Sequence, residues 1–494
     1  MDVRADRAPR REAEALDVLA DADLDALADH AAHRAVERLD PAAGVMAQAV
    51  WVDAGAERPG RLVLVVHHLA VDGVSWRILL PDLQAACEAA AAGRDPAPDP
   101  VGTSFRRWSR LLAAQARSAA RRAELDEWAA LTGEYDPLLG RRALDPARDT
   151  AATWRDRSWS VSSAQAATLA SRTLTVFHCG VHEVLLAALA GAVAQWRPGN
   201  ATAAGVLLDI EGHGREPLAG TDLSRTVGWF TNVRPARLRT TGIDLHRARA
   251  GGPAAGELLK AVKEQLQSIP GDGLGHGMLR HLNPETGPVL AGLPSPQIGF
   301  NYLGRFPART STSPTTSTSP TTGTSPTTGT TRDTGMSRDT GTTRDTGTTR
   351  DTGTTRDTAT TRDADTSTSP ATDTAPVGAW QPAGASAVGG SAEPGMPVTH
   401  ALEAGAVIRD TPEGPELTLS LGWAGELLDE AAVERLGQGW LAMLSGLAEH
   451  TAAPDAGGHT PSDFLLLDLA QDEVDAFEDE FTDGPAHPPA HKSL

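Results

Sequence analysis

The stretch "RLVLVVHHLAVDGVSWRIL", residues 61–79, decides how this chain is read. A run of strand-forming apolar residues ends abruptly in two imidazoles, His67 and His68. An Asp-Gly pair follows at Asp72 and Gly73, and then an apolar helical pattern begins. Neighbouring side chains on a strand point to opposite sides, so one histidine can face a cavity while the other packs inward. Imidazole titrates near neutral pH, which suits a general base. Asp72 before Gly73 supplies a turn, and its carboxylate can hold backbone donors or a charged partner. Two other readings fit the same residues: a buried, hydrogen-bonded histidine pair, or a set of nitrogen and oxygen metal ligands from His67, His68 and Asp72.

A second apolar strand ends in ionisable residues at "AAGVLLDIEGHGRE", residues 203–216. Glu211 closes the apolar run, and two glycines bracket His213. Glycine permits close approach of backbone or unusual dihedrals. A carboxylate at a strand end beside a tight turn is an acid/base candidate, and an exposed loop carboxylate is the plainer alternative. In "SRTVGWFTNVRP", 224–235, Trp229 and Phe230 are pocket walls or ordinary core. "IPGDGLGHGMLRHL", 269–282, lacks the Gly-Lys-Ser/Thr ending of a phosphate loop, which argues against a nucleotide site. No Gly-x-Ser-x-Gly elbow is present, so a hydrolase triad has no support.

Around these motifs, strands alternate with helices. Strands are expected at 44–55, 61–66, 154–163, 203–216, 296–306, 400–408 and 415–423. Helices are expected at 12–39, 75–92, 104–132, 164–172, 181–196, 256–269 and 429–449. The segment 181–196 is apolar on most sides and reads as a buried helix. Between about Thr310 and Thr374 the composition collapses to Thr, Ser, Pro, Gly, Arg and Asp in six-residue repeats, with Ser-Pro first and "TTRDTG" after. No apolar position recurs that could stack into a core, so this is expected to be a solvated, disordered insertion. The segment 461–481 carries eight acidic residues and no base, with Leu469, Val474, Phe477 and Phe481 near one helical face.

The chain has 494 residues, of which 40% are hydrophobic, enough for two or three domains or one large two-lobed one. Its net charge is −20, from 44 Lys and Arg against 64 Asp and Glu, which disfavours nucleic acid or an anionic membrane as the main partner. Two cysteines, Cys87 and Cys179, make neither a disulfide framework nor a thiolate metal site, and fit a reducing compartment. The N-terminus lacks an apolar signal core, and no window approaches the ~18 apolar residues of a membrane span. The expectation is a soluble cytoplasmic protein.

Taken in order, "HHLAVDGVSW", "EGHGRE", "TVGWFTNVRP", "PGDGLGHGMLRHL" and "FNYLGRF" resemble the epimerization domains of nonribosomal peptide synthetases, members of the condensation-domain superfamily. The resemblance runs from about residue 40 to residue 465, apart from the repeats. His-His-x-x-x-Asp-Gly is shared with condensation domains, whereas "EGHGRE" and "VGWFTN" point to the epimerization branch.

The resemblance implies an α/β fold of two chloramphenicol-acetyltransferase-like lobes in a V-shaped pseudo-dimer. The first lobe would occupy 1–150, the second 151–306 and 399–460. The insertion would fill 307–398, and an acidic tail, a candidate docking segment, would fill 461–494. The implied catalytic pair is His68 and Glu211, supported by His67, Asp72, Gly73, Trp76, Asn301 and Tyr302. No cofactor or metal is implied. The substrate would be an aminoacyl or peptidyl thioester on the phosphopantetheine arm of a peptidyl carrier protein, supplied in trans, and the reaction would convert L to D at Cα. Backbone donors near the Gly73 turn are candidates to stabilise the enolate.

The family's "PIQxWF"-like opening motif is missing, so the first lobe is expected to be N-terminally truncated. The arginine that normally pairs with the histidine-motif aspartate is missing with it, which leaves Asp72 without that partner. Three rivals stay open: a condensation domain that uses His68 without requiring Glu211, a non-catalytic fragment that binds carrier proteins, and a metal hydrolase built on His67, His68 and Asp72.

Overall fold

The computed structural model describes residues 21–55, 59–197, 205–216, 218, 220–306, 392–454, 456–464, 469–471 and 473–474. The expected insertion at 307–398 falls outside these residues except for its last seven. Residues 12–20 of the first expected helix, and Phe477 and Phe481 of the acidic segment, also lie outside them.

The described residues open with α1 (Asp21–Val36), which packs against an antiparallel hairpin of β1 (Ala47–Val52) and β2 (Arg61–Val66). Every residue of β2 is half-buried, so this two-stranded sheet is only partly covered. After one 3₁₀ turn at His68–Ala70 comes α2 (Gly73–Ala91). The span expected as one helix at 104–132 is three: α3 (Phe105–Gln115), α4 (Ala119–Ala123) and α5 (Leu125–Gly133). Ser118 explains the first break, because its hydroxyl accepts the Arg121 amide and starts a new helix.

The second half builds a six-stranded sheet. β3 (Trp154–Val161) leads through α6 (Ser163–Ala167) and α7 (Thr173–Val176) to α8 (Val181–Trp196). Next come β4 (Val206–Gly212), β5 (Asn232–Leu238), α9 (Leu245–Arg249), α10 (Ala254–Gln267), α11 (Gly275–Gly277) and α12 (Gly287–Ala291). β6 (Ile298–Phe306), β7 (Leu402–Thr411), β8 (Gly414–Ala424) and α13 (Glu430–Ala452) complete the core. Strand order is β3-β8-β7-β6-β4-β5, with β4, β6 and β7 parallel and the outer pairings antiparallel. This is the expected α/β fold with a mixed sheet.

The sequence pattern does not predict β5. Pro235 sits within it, and proline cannot donate to a ladder. β5 lies at the sheet edge and pairs only with β4, so the missing donor is tolerated.

The two faces of this sheet differ. Leu208, Ile210, Ala236, Ile298, Phe300, Leu402, Ala404, Leu419 and Leu421 alternate along their strands and form one core with α8, α10 and α13. Helix α8 is fully buried from Val184 to Ala194, which explains its lack of a polar face. The opposite face carries Asp209, Glu211, Gly299, Asn301 and Glu403 by register. No single described helix is long and apolar enough to cross a membrane.

Candidate active site

The two histidines have different surroundings. His67 ends β2, its amide donates to the Met46 carbonyl at 2.8 Å, and its Nδ1 accepts the Leu69 amide at 3.2 Å. It caps the 3₁₀ turn. His68 begins that turn and is exposed, with its ring 4.5 Å from the Trp229 ring centre to centre. Trp229 is itself 43% exposed, so it is a wall beside His68 and not core. Among the described residues no three His, Cys, Asp or Glu side chains converge as a metal site.

Asp72 caps α2 and is only 2% exposed. Its Oδ1 accepts the Ser75 amide at 2.7 Å, and its Oδ2 accepts the Phe230 amide at 3.1 Å. The expected loss of its arginine is corrected here: Arg215 Nη2 lies 3.1 Å from Oδ1 and 3.3 Å from Oδ2. Arg215 comes from "EGHGRE", so a long side chain from the second-half loop supplies the charge partner of Asp72. Its Nη1 also donates to the carbonyls of Leu223 and Thr226 at 3.0 and 2.7 Å, and its guanidinium lies 4.1 Å from the Phe230 ring centre. Burial alone would raise the Asp72 carboxyl. The Ser75 and Phe230 bonds and the Arg215 charge outweigh it and hold the carboxyl below its ordinary range.

Ser75 adds a further tie. Its Oγ sits 2.8 Å from Asp72 Oδ1 and 2.9 Å from the Gly228 carbonyl, and accepts the Gly228 amide at 3.1 Å. The histidine turn and the "TVGWF" loop are thus fastened together through buried groups. Gly73 has open space where a side chain would start, so the turn does not depend on a missing Cβ there. Trp76 is half-buried on α2.

Glu211 lies one residue before the end of β4, opposite Val233 on β5. It is half-buried, and no described residue hydrogen-bonds its carboxyl. Burial pushes this carboxyl up, the nearby His68 pulls it down, Glu403 pushes it up and His400 pulls it down. The charge of His68, from the turn after β2, therefore reaches Glu211 on the other sheet. The chain then turns sharply. Gly214 has φ +63°, and a Cβ there would collide with the Phe230 carbonyl oxygen, so only glycine fits.

The register puts Asn301 on the Glu211 face of β6. Tyr302 faces the other way, packs against the core and lies 5.8 Å from the His182 ring. The structure thus sets His68 beside Trp229 and within electrostatic reach of Glu211, puts Asn301 on the Glu211 face, ties the histidine turn to the Trp229 loop through Asp72, Ser75 and Arg215, and turns Tyr302 to the core side. Sequence reasoning misses Arg215 and Ser75. Arg215 carries a signal, an arginine inside the glycine-bracketed motif, but Ser75 carries none.

The condensation-domain family matches residues 11–332. A linear gramicidin synthase of Brevibacillus parabrevis is 43% identical over 271 residues, covering 54% of this chain and 3% of that protein. The chondramide synthase of Chondromyces crocatus is 40% identical over 291 residues, covering 56% of this chain and 7% of that protein. The chain therefore spans only a small part of the curated relatives it matches. Among solved structures, the epimerization domain from the third module of tyrocidine synthetase B superposes with a TM-score of 0.58 at 23% identity, covering 87% of this chain and 77% of that one. By motif, fold and match, this chain belongs to the condensation-domain family.

Proposed function

We propose that this chain inverts the Cα of an aminoacyl or peptidyl thioester carried on the phosphopantetheine arm of a peptidyl carrier protein. The observation that carries this reading is the pair His68 and Glu211. His68 stands in the turn after β2 and Glu211 on β4 of the other sheet, with the His68 charge acting on a Glu211 carboxyl that is raised by burial and has no hydrogen bond from any described residue.

The chemistry asks for such a pair. A thioester carbonyl acidifies the α-proton, but removal still needs a positioned base. Inversion needs a proton returned on the opposite face. In one direction a Glu211 carboxylate takes the α-proton, leaving an enolate, and a His68 imidazolium gives its proton to the other face. In the reverse direction the roles exchange. Each positioned transfer typically contributes ~10²–10⁴ in rate. Burial raises the Glu211 carboxyl, and a raised carboxyl is a stronger base, the direction that proton abstraction asks for.

The His67 cap and the Asp72–Arg215–Ser75 network fix the turn that carries His68. Asn301, on the Glu211 face, is placed to orient the substrate. The relatedness to gramicidin and chondramide synthases supports a place in nonribosomal peptide assembly, in the cytoplasm, with the carrier as partner and the acidic C-terminal segment as a docking element.

A condensation reading uses His68 without Glu211. The test loads a carrier with an L-aminoacyl or L-peptidyl thioester, adds this chain and determines the configuration of the released acid. The expected result is a mixture of L and D, and no mixture with His68→Ala or Glu211→Gln. Retained L configuration, together with amide product when a second loaded carrier is added, overturns the epimerase reading in favour of condensation. Retained L configuration without amide favours a carrier-binding scaffold.

A further inference from the structure

Behind Glu211, on the same face of the sheet, lies a charged cluster that the proposed reaction does not use. Asp209, Gly299 and Glu403 share one register across the parallel strands β4, β6 and β7. His400, two residues before β7, lies across this row. Its Nε2 is 3.0 Å from Asp209 Oδ2, and its Nδ1 is 3.6 Å from Glu403 Oε1, an ionic contact longer than a hydrogen bond. The ring lies where a side chain at position 299 would start. A Cβ on Gly299 would fall 2.8 Å from Nδ1. The glycine of "PQIGFNYLGRF" is thus the floor of a histidine site.

The cluster is sheltered. The side chains of His400 and Asp209 are 14% and 16% exposed, whereas Glu403 is half-exposed. Glu211 follows Asp209 by two residues, ~6.6 Å along the strand on the same face. The charged groups acting on Glu211 are His68 from the turn before α2, Glu403 from β7 and His400 from the segment leading into β7. Asp209 is also felt by His276 of α11, whose own ring burial drives toward the neutral form.

We propose that His400 is a positioning residue for proton transfer at Glu211: a ring clamped over Gly299 between Asp209 and Glu403, whose positive charge acts along the same sheet face on the half-buried Glu211 carboxyl. This rests on Glu211 being the second proton-transfer group. Burial opposes a charge on His400, but the Asp209 bond and the Glu403 contact outweigh it and raise its pKa to about 9. His400 therefore lowers the Glu211 carboxyl, while Glu403 raises it, so the two neighbours have opposite signatures.

The test follows the Glu211 side-chain carbon by NMR in the full chain labelled with ¹³Cδ-glutamate, the signal being assigned by its loss in Glu211→Gln. His400→Gln moves the Glu211 titration up by ~1 pH unit, and Glu403→Gln moves it down. The Glu211 limb of the pH–rate profile for α-hydrogen exchange moves in the same two directions. Glu403 is half-exposed, so its variant folds even if His400→Gln does not. In the unaltered protein the His400 ring nitrogens keep imidazolium shifts at ~pH 7.5. A neutral His400 at that pH, or variants that slow exchange without displacing the titration, overturns the proposal. The NMR arms need no substrate. If the unaltered protein exchanges no α-hydrogen, the epimerase reading falls, and the two titrations decide the electrostatic role by themselves.

Discussion

Replacing Arg215 by alanine removes the guanidinium that faces Asp72, a carboxylate only 2% exposed. Breaking a buried ion pair by taking one partner typically costs ~3–5 kcal/mol, because the remaining charge is left without compensation. Asp72 keeps the Ser75 amide, the Ser75 hydroxyl and the Phe230 amide, which moves this contribution toward ~3 kcal/mol. The carbonyls of Leu223 and Thr226 lose their donor as well, at ~0.5–1.5 kcal/mol each. The expected total is ~4–6 kcal/mol. A double-mutant cycle isolates the pair: urea unfolding of the unaltered chain, Arg215→Ala, Asp72→Asn and the double variant gives a coupling of ~2 kcal/mol. A coupling below ~0.5 kcal/mol would mean that Arg215 is not the partner of Asp72, and the bracing of the histidine turn argued above would be wrong. The same variant loosens the turn that carries His68, so α-hydrogen exchange falls even where the protein remains folded.

Three further outcomes follow from particular contacts. Gly214→Ala combines a positive φ with a clash against the Phe230 carbonyl, and thermal unfolding should show a loss above the ~1–2 kcal/mol of left-handed backbone alone. Lys263, 3% exposed, donates to both Asp463 oxygens at 2.7 Å and to the Phe177 carbonyl at 3.1 Å. Lys263→Ala should destabilise by ~3–5 kcal/mol and expose residues 460–464 to amide hydrogen exchange. The His400 pKa is raised from 6.5 to about 9 in the fold, so its stabilisation is fully present below about 6.5 and is lost as pH rises through about 9. That difference corresponds to ~3 kcal/mol, and urea midpoints between these pH values should fall in the unaltered chain but stay flat in His400→Gln.

Much of the fold was legible because periodicity reports burial. The strand at 61–66 and the helix at 181–196 fall where the apolar patterns put them. Local chemistry hid the rest. Pro235 masked β5, since the edge position that makes it tolerable is a property of the whole sheet. Ser118 divided an apparently continuous helix through one hydroxyl cap. At the site, the motifs pointed to His68 and Glu211 through resemblance. Arg215 and Asp72, 143 residues apart, could be paired only once the chain had folded. His400 gave no signal in sequence, because its role depends on a glycine floor and two carboxylates supplied by three different strands.

The most direct measurement is deuterium entry at Cα. A carrier loaded with an L-aminoacyl or L-peptidyl thioester is incubated with this chain in D₂O, and the released acid is analysed for deuterium and configuration. The unaltered chain should introduce deuterium with inversion, and Glu211→Gln and His68→Ala should each slow this by ~10²–10⁴. A Glu211→Gln chain that inverts at the unaltered rate would contradict the two-sided site.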